Sequence, residues 1–98
     1  HRNDPVGYAQ ALGRFDAALP SILAAARRDL VIITSDHGVD PTTESTDHTR
    51  EYVPLLAVSP NGERGSVGTR ETFADVAATL AQWLGLSPVG PGTSIIAR

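Results

Sequence analysis

The stretch from Leu30 to Leu56, LVIITSDHGVDPTTESTDHTREYVPLL, constrains this chain more than any other. It opens as an unbroken apolar run, Leu30 to Ile33 with Thr34, and stops abruptly at Ser35-Asp36-His37-Gly38. Apolar residues on both faces predict a strand covered on both sides, as strands of parallel sheets are. A loop rich in Asp, Thr and Pro follows and carries a second Asp-His pair, Asp47-His48. A second strand-like run, Val53 to Ser59, comes next. Its Pro54 cannot donate to a ladder, so the strand starts there or lies near an edge. In open α/β sheets ligands gather beyond the carboxyl ends of the strands. Asp36 and His37 stand at such an end.

The flanks supply helices. Asp4 suits an N-cap and Pro5 the first helical position. Tyr8, Leu12, Phe15, Leu19, Ile22 and Ala26 then recur at steps of three and four, one apolar helical face. Pro20 lacks a backbone donor and predicts a kink or break near Leu19. Arg27 and Arg28 are placed to close the helix at the negative end of its dipole. Helix then strand, joined through Asp29, is an α/β step. After the second strand, Ser59-Pro60-Asn61-Gly62 predicts a turn, and the loop continues through Gly65 and Gly68. Thr72 with Asp75 has the spacing of a capping box. Phe73, Val76, Ala77, Leu80 and Leu84 would form the buried stripe of the helix it opens, and Gly85 its stop. The tail from Ser87 to Arg98 reads as loop, with Ile95 and Ile96 as candidates to dock on the core. No repeat, low-complexity tract or internal boundary is visible, so residues 1–98 read as one segment.

Bulk properties exclude several functions. A net charge of -3 leaves no basic footprint for nucleic acid. The absence of cysteine removes disulfide frameworks and thiolate metal sites. No apolar run approaches the ~20 residues a membrane helix needs. No signal peptide is visible, and a cytoplasmic location is the default. The sequence begins at His1 and contains no Met. Two helices and two strands form a thin core, and a buried-type strand implies neighbours beyond these residues. The chain therefore reads as a piece of a longer protein, and its partners include the missing N-terminal part.

Carboxylate oxygen beside imidazole nitrogen suits zinc, manganese, iron and related divalent ions. Two such ions about 4 Å apart can clamp the attacking and leaving oxygens of a phosphoryl transfer. The candidate ligands are His1, Asp36, His37 and His48, with Asp40 and Asp47 in reserve. A two-ion site needs about six protein ligands, so this tally is short. Plainer readings stand beside it. Asp-His-Gly after a strand is also a turn with an Asx cap. His48 is also a surface histidine and His1 a frayed terminus. Arg50 also pairs weakly with Glu51. Thr42, Thr43, Ser45 and Thr46 also make a solvated loop, and Tyr8 and Trp83 core aromatics.

Ile32-Ile33-Thr34-Ser35-Asp36-His37-Gly38 resembles the strand-plus-ligand motif of the alkaline phosphatase superfamily. Asp40-Pro41-Thr42 and the run from Thr46 to Pro54, TDHTREYVP, are similar to the phosphopentomutase family in particular. So are His1-Arg2-Asn3-Asp4 with Gly7-Tyr8-Ala9, Thr72-Phe73-Ala74-Asp75 and Gly92-Thr93-Ser94. The resemblance covers nearly the whole chain, as the C-terminal portion of the enzyme. It implies an α/β fold: the C-terminal part of an alkaline-phosphatase-like core, a predominantly parallel sheet flanked by helices.

The resemblance also implies roles. Asp36 and His37 match ligands of one manganese ion, and His1 and His48 ligands of the other. Thr49 and Arg50 match motif positions without an assigned step. The family interconverts ribose or deoxyribose 1-phosphate and the 5-phosphate through a phosphorylated threonine. No residue here matches that threonine, an N-terminal metal-binding Asp, a further Asp shortly before His1, or the cap domain that holds the sugar. Asp47 is expected to orient the loop or the histidine beside it rather than bind metal. A phosphoglycerate mutase, phosphatase or sulfatase of the same superfamily is the competing enzyme reading. A non-catalytic metal-binding or structural fragment is the competing reading of another class. The isolated chain, lacking the nucleophile, is expected to be inactive.

Overall fold

The computed structural model describes residues 3–44, 50–88 and 90–96. They fall into two units, His1–Glu63 and Arg64–Arg98. The division lies within the glycine-bearing loop that follows the second strand.

In the first unit, helix α1 runs from Pro5 to Ala25. Asp4 caps it as expected: its Oδ1 accepts the Gly7 N–H at 3.0 Å, and Pro5 occupies the first position. Glycine at position 7 leaves room for that carboxylate, because a Cβ there would lie 2.9 Å from Asp4 Cγ. Pro20 does not break the helix. Asp16 and Pro20 are both exposed, so the carbonyl that loses its donor is left open to solvent rather than buried unpaired. Arg27 and Arg28 fall in the turn after the helix, whose last turn holds no basic residue. The apolar stripe on α1 is largely open, with Tyr8, Leu12, Phe15 and Ile22 all exposed.

Strand β1, Val31–Ile33, pairs with β2, Leu56–Val58. The register sets Val31 against Val58, Ile32 against Ala57 and Ile33 against Leu56. The pairing is antiparallel, where the sequence predicted a parallel sheet. The reason is the connection. A parallel neighbour requires a crossover, usually a helix, and no helix occurs among the described residues between β1 and β2. The chain instead doubles back. Nor is β1 covered on both sides: it is half-buried and β2 is exposed. Ser59–Gly62 forms the expected turn, with the Gly62 N–H on Ser59 O at 3.1 Å and Gly62 at φ 75°.

In the second unit, helix α2 spans Ala74–Trp83. The capping box is only half made. Thr72 Oγ1 accepts the Ala74 N–H at 3.1 Å, but Asp75 does not reach back. Its carboxylate takes Arg70 Nε at 2.7 Å and the Thr93 N–H at 2.9 Å instead. The C-terminus closes as a Schellman motif on Gly85, at φ 71°: Leu86 N–H meets Ala81 O and Gly85 N–H meets Gln82 O.

The face that α2 buries is not the predicted stripe. Phe73, Ala77, Leu80 and Leu84 are exposed, whereas Asp75, Ala78, Thr79 and Ala81 are buried. Small residues let the segment from Gly92 to Ile96 lie close on the helix. A Cβ on Gly92 would run into the Ala74 carbonyl and come within 2.7 Å of Asp75 N. Thr79 Oγ1 donates to Asp75 O at 2.7 Å and accepts the Ile95 N–H at 3.0 Å. Ile95 and Ile96 therefore dock on their own unit, half-buried, as the sequence suggested.

Candidate metal centre

The end of β1 delivers Ser35, Asp36, His37 and Gly38 into a tight turn. Ser35 Oγ donates to His37 O at 2.7 Å and lies 3.5 Å from Asp36 Oδ1. His37 Nδ1 lies 2.9 Å from the Gly38 carbonyl oxygen. A carbonyl only accepts, so Nδ1 carries the proton in this bond. In the neutral ring Nε2 then holds the lone pair. That nitrogen faces Asp36 Oδ1 at 3.6 Å. The His37 side chain is 26% exposed and that of Asp36 87% exposed, so the pair opens toward solvent. Gly38, next in the chain, is buried.

The pair suits a divalent ion. Two ligands each ~2.0–2.2 Å from one ion can stand up to about 4.4 Å apart, and 3.6 Å lies within that reach. The hydrogen bond at Nδ1 is the support that metal-bound histidines usually have. Among the described residues, no third His, Asp or Glu joins them to make a ligand cluster. His1, Asp47 and His48 lie outside the described residues.

Asp40, a reserve ligand by sequence, is engaged in its own loop. Thr42 Oγ1 donates to Asp40 Oδ1 at 2.5 Å and Thr42 N–H to the same oxygen at 2.9 Å. The hydroxyl first, then the amide, hold the Asp40 carboxyl below the usual carboxylate range. Thr43 closes the turn through its N–H and hydroxyl, both on Asp40 O. Thr42 and Thr43 thus shape the loop. Arg50 is exposed.

The sequence reading missed the polar cluster of the second unit. Arg70 joins Asp75 Oδ2 by Nε, Val67 O by Nη1 and Thr93 O by Nη2. The Thr93 N–H first, then the Arg70 guanidinium, hold the Asp75 carboxyl below the usual range against the upward push of burial. Those bonds tie Val67, Arg70, Asp75 and Thr93 of the second unit together. Its one sequence signal was an acid at a helix start, which reads equally well as a cap.

The sequence profile of the Metalloenzyme superfamily matches residues 1–88. The chain belongs to that superfamily. As a metalloenzyme superfamily chain it is expected to take part in divalent-metal binding, the chemistry that the Asp36–His37 pair suits. Its curated relatives include a phosphopentomutase of Caldanaerobacter subterraneus subsp. tengcongensis, 55% identical over 98% of this chain and 25% of the relative. A phosphopentomutase of Anaeromyxobacter sp. (strain K) is 54% identical over 100% of this chain and 25% of its own length. One from Yersinia pseudotuberculosis serotype O:1b is 48% identical over 98% and 24%. The chain thus spans about a quarter of the length of the curated relatives it matches. No helix among the described residues is long and apolar enough to cross a membrane.

Proposed function

We propose that the chain is the C-terminal, metal-holding segment of the core domain of a phosphopentomutase, a cytoplasmic isomerase. The parent enzyme interconverts ribose or deoxyribose 1-phosphate and the 5-phosphate, through a phosphothreonine outside these residues. One observation carries the reading: relatives of that name align along essentially the whole chain at 48–55% identity. The 3.6 Å approach of His37 Nε2 to Asp36 Oδ1 supports it.

In this reading Asp36 and His37 hold one manganese ion, and His1 and His48 hold the second. Bound divalent ions supply charge neutralisation at the phosphate oxygens and activation of the attacking oxygen. The chain's own contribution is to hold ligands at fixed spacing. Ser35 and the Gly38 carbonyl fix the His37 backbone and ring, so Nε2 and Asp36 Oδ1 stay on one side of the turn. β1 belongs to a larger, predominantly parallel sheet whose strands beyond β1 and β2 come from outside this chain. β2 would then be an antiparallel member of it, as mixed sheets commonly have.

The test uses the full-length enzyme. Ribose 1-phosphate should convert to the 5-phosphate, followed by phosphorus NMR, and the double variant Asp36→Asn/His37→Ala should lose at least ~100-fold in turnover and one manganese per chain. Turnover of a phosphoglycerate or a sulfate ester in place of the pentose phosphate would move the chain to another branch of the superfamily. The 98-residue chain alone should show no turnover, since the nucleophile is elsewhere. Activity from it would refute that placement.

A further inference from the structure

Gly38 is buried, although Asp36, two residues before it, has a side chain that is 87% exposed. Its φ is not in the left-handed region, which among the described glycines is occupied by Gly62, Gly65, Gly68, Gly85 and Gly90. Conformational freedom therefore does not explain glycine here. Space does. A Cβ at position 38 would run into the Glu51 carbonyl oxygen and lie 2.7 Å from both the Glu51 carbonyl carbon and its Cβ. Two of those three atoms are backbone, so no rotamer change relieves the overlap. Glu51 precedes the run into β2, so the contact ties the end of β1 to the chain returning beside it. Gly38 itself offers its carbonyl to His37 Nδ1 at 2.9 Å.

We infer that Gly38 is a positioning residue for the metal pair: its bare Cα seats the turn on the Glu51 backbone while its carbonyl fixes the His37 ring. The inference rests on the metal-centre reading above. A side chain at 38 must push the turn off Glu51. The Gly38 carbonyl moves with it, and His37 Nε2 swings away from Asp36 Oδ1. The substitution leaves every ligand chemically intact and acts only on their arrangement.

The experiment titrates the full-length enzyme with manganese and follows the free-ion EPR signal, below the melting temperature of each metal-free protein. Gly38→Ala should weaken binding of the Asp36–His37 ion at least ~10-fold. Gly13→Ala, a glycine with nothing within 4 Å of its would-be Cβ, should titrate like the wild type. Wild-type binding by a folded Gly38→Ala protein overturns the inference. Should that variant not fold, Gly38→Ala/Glu51→Gly removes one of the opposing atoms and lets the backbone yield. A folded double variant with weakened binding supports the inference. A double variant that stays unfolded overturns it, because the contact would then serve the whole fold and not the metal pair. If Asp36→Asn/His37→Ala leaves the manganese stoichiometry of the wild type unchanged, the metal-centre reading itself fails and this inference falls with it.

Discussion

Replacing Thr79 by Val probes how the last residues are held on α2. The side chain is fully buried, and valine nearly matches its shape. What disappears is the hydroxyl, with two hydrogen bonds. The bond to Asp75 O is the cheaper loss, since helix geometry already gives that carbonyl a backbone partner. The bond from the Ile95 N–H at 3.0 Å is the dearer one, since that partly buried donor is left without an acceptor. An unsatisfied buried donor costs about 1–3 kcal/mol. The added methyl returns up to about 0.8 kcal/mol of burial. The net loss falls between about 0.2 and 3 kcal/mol and centres near 1–2 kcal/mol, a factor of roughly 5–30 in the local opening equilibrium. Native-state hydrogen exchange on the full-length protein reads this directly. The Ile95 amide should exchange roughly 5–30 times faster in Thr79→Val, while amides of α1 keep their rates. Thr79→Ser, which keeps the hydroxyl, should leave Ile95 protected. An unchanged Ile95 rate in Thr79→Val would show that the hydroxyl does not hold the strap and that packing alone does.

Other expectations follow from the same contacts. The Asp75 carboxyl titrates below its ordinary value in the folded state. Its contribution is therefore present above the unfolded value of about 3.9 and is lost as pH falls through the lower folded one. Protection of the Thr93 amide should drop below about pH 4, and Asp75→Asn should flatten that dependence. Gly85→Ala places a side chain at φ 71° and should destabilise α2 by about 1–2 kcal/mol, read as faster exchange in its last turn. Asp4→Ala removes the α1 cap and should cost about 1 kcal/mol in the first turn, with Asp4→Ser recovering most of it.

Much of the local structure was legible because its causes lie within a few residues. Asp4-Pro5 opens α1, Gly85 stops α2, and Ser59–Gly62 turns where the residue types demand it. The candidate ligands Asp36 and His37 were legible for a similar reason, as a polar pair where an apolar strand ends. The buried face of α2 was not legible. Hydrophobic periodicity chose Phe73, Leu80 and Leu84, which is sound when a helix packs through large side chains. Here the neighbour is a backbone strap, and a strap needs small residues and hydrogen-bond acceptors. Asp75 was assigned to a cap three residues away and is held by Thr93, eighteen residues away. Such a partner cannot be read from spacing.

By itself the sequence determined which segments are helix, strand and turn, because these follow from local backbone preference, and it singled out Asp36 and His37 as candidate ligands by side-chain type alone. Only the tertiary structure decided that β1 and β2 run antiparallel, that Asp75 and Thr79 hold the strap, and that Gly38 is glycine for want of space against Glu51. Each of those depends on which backbone atoms arrive beside one another from distant positions, and close approach of two backbones leaves no periodic mark in either stretch of sequence.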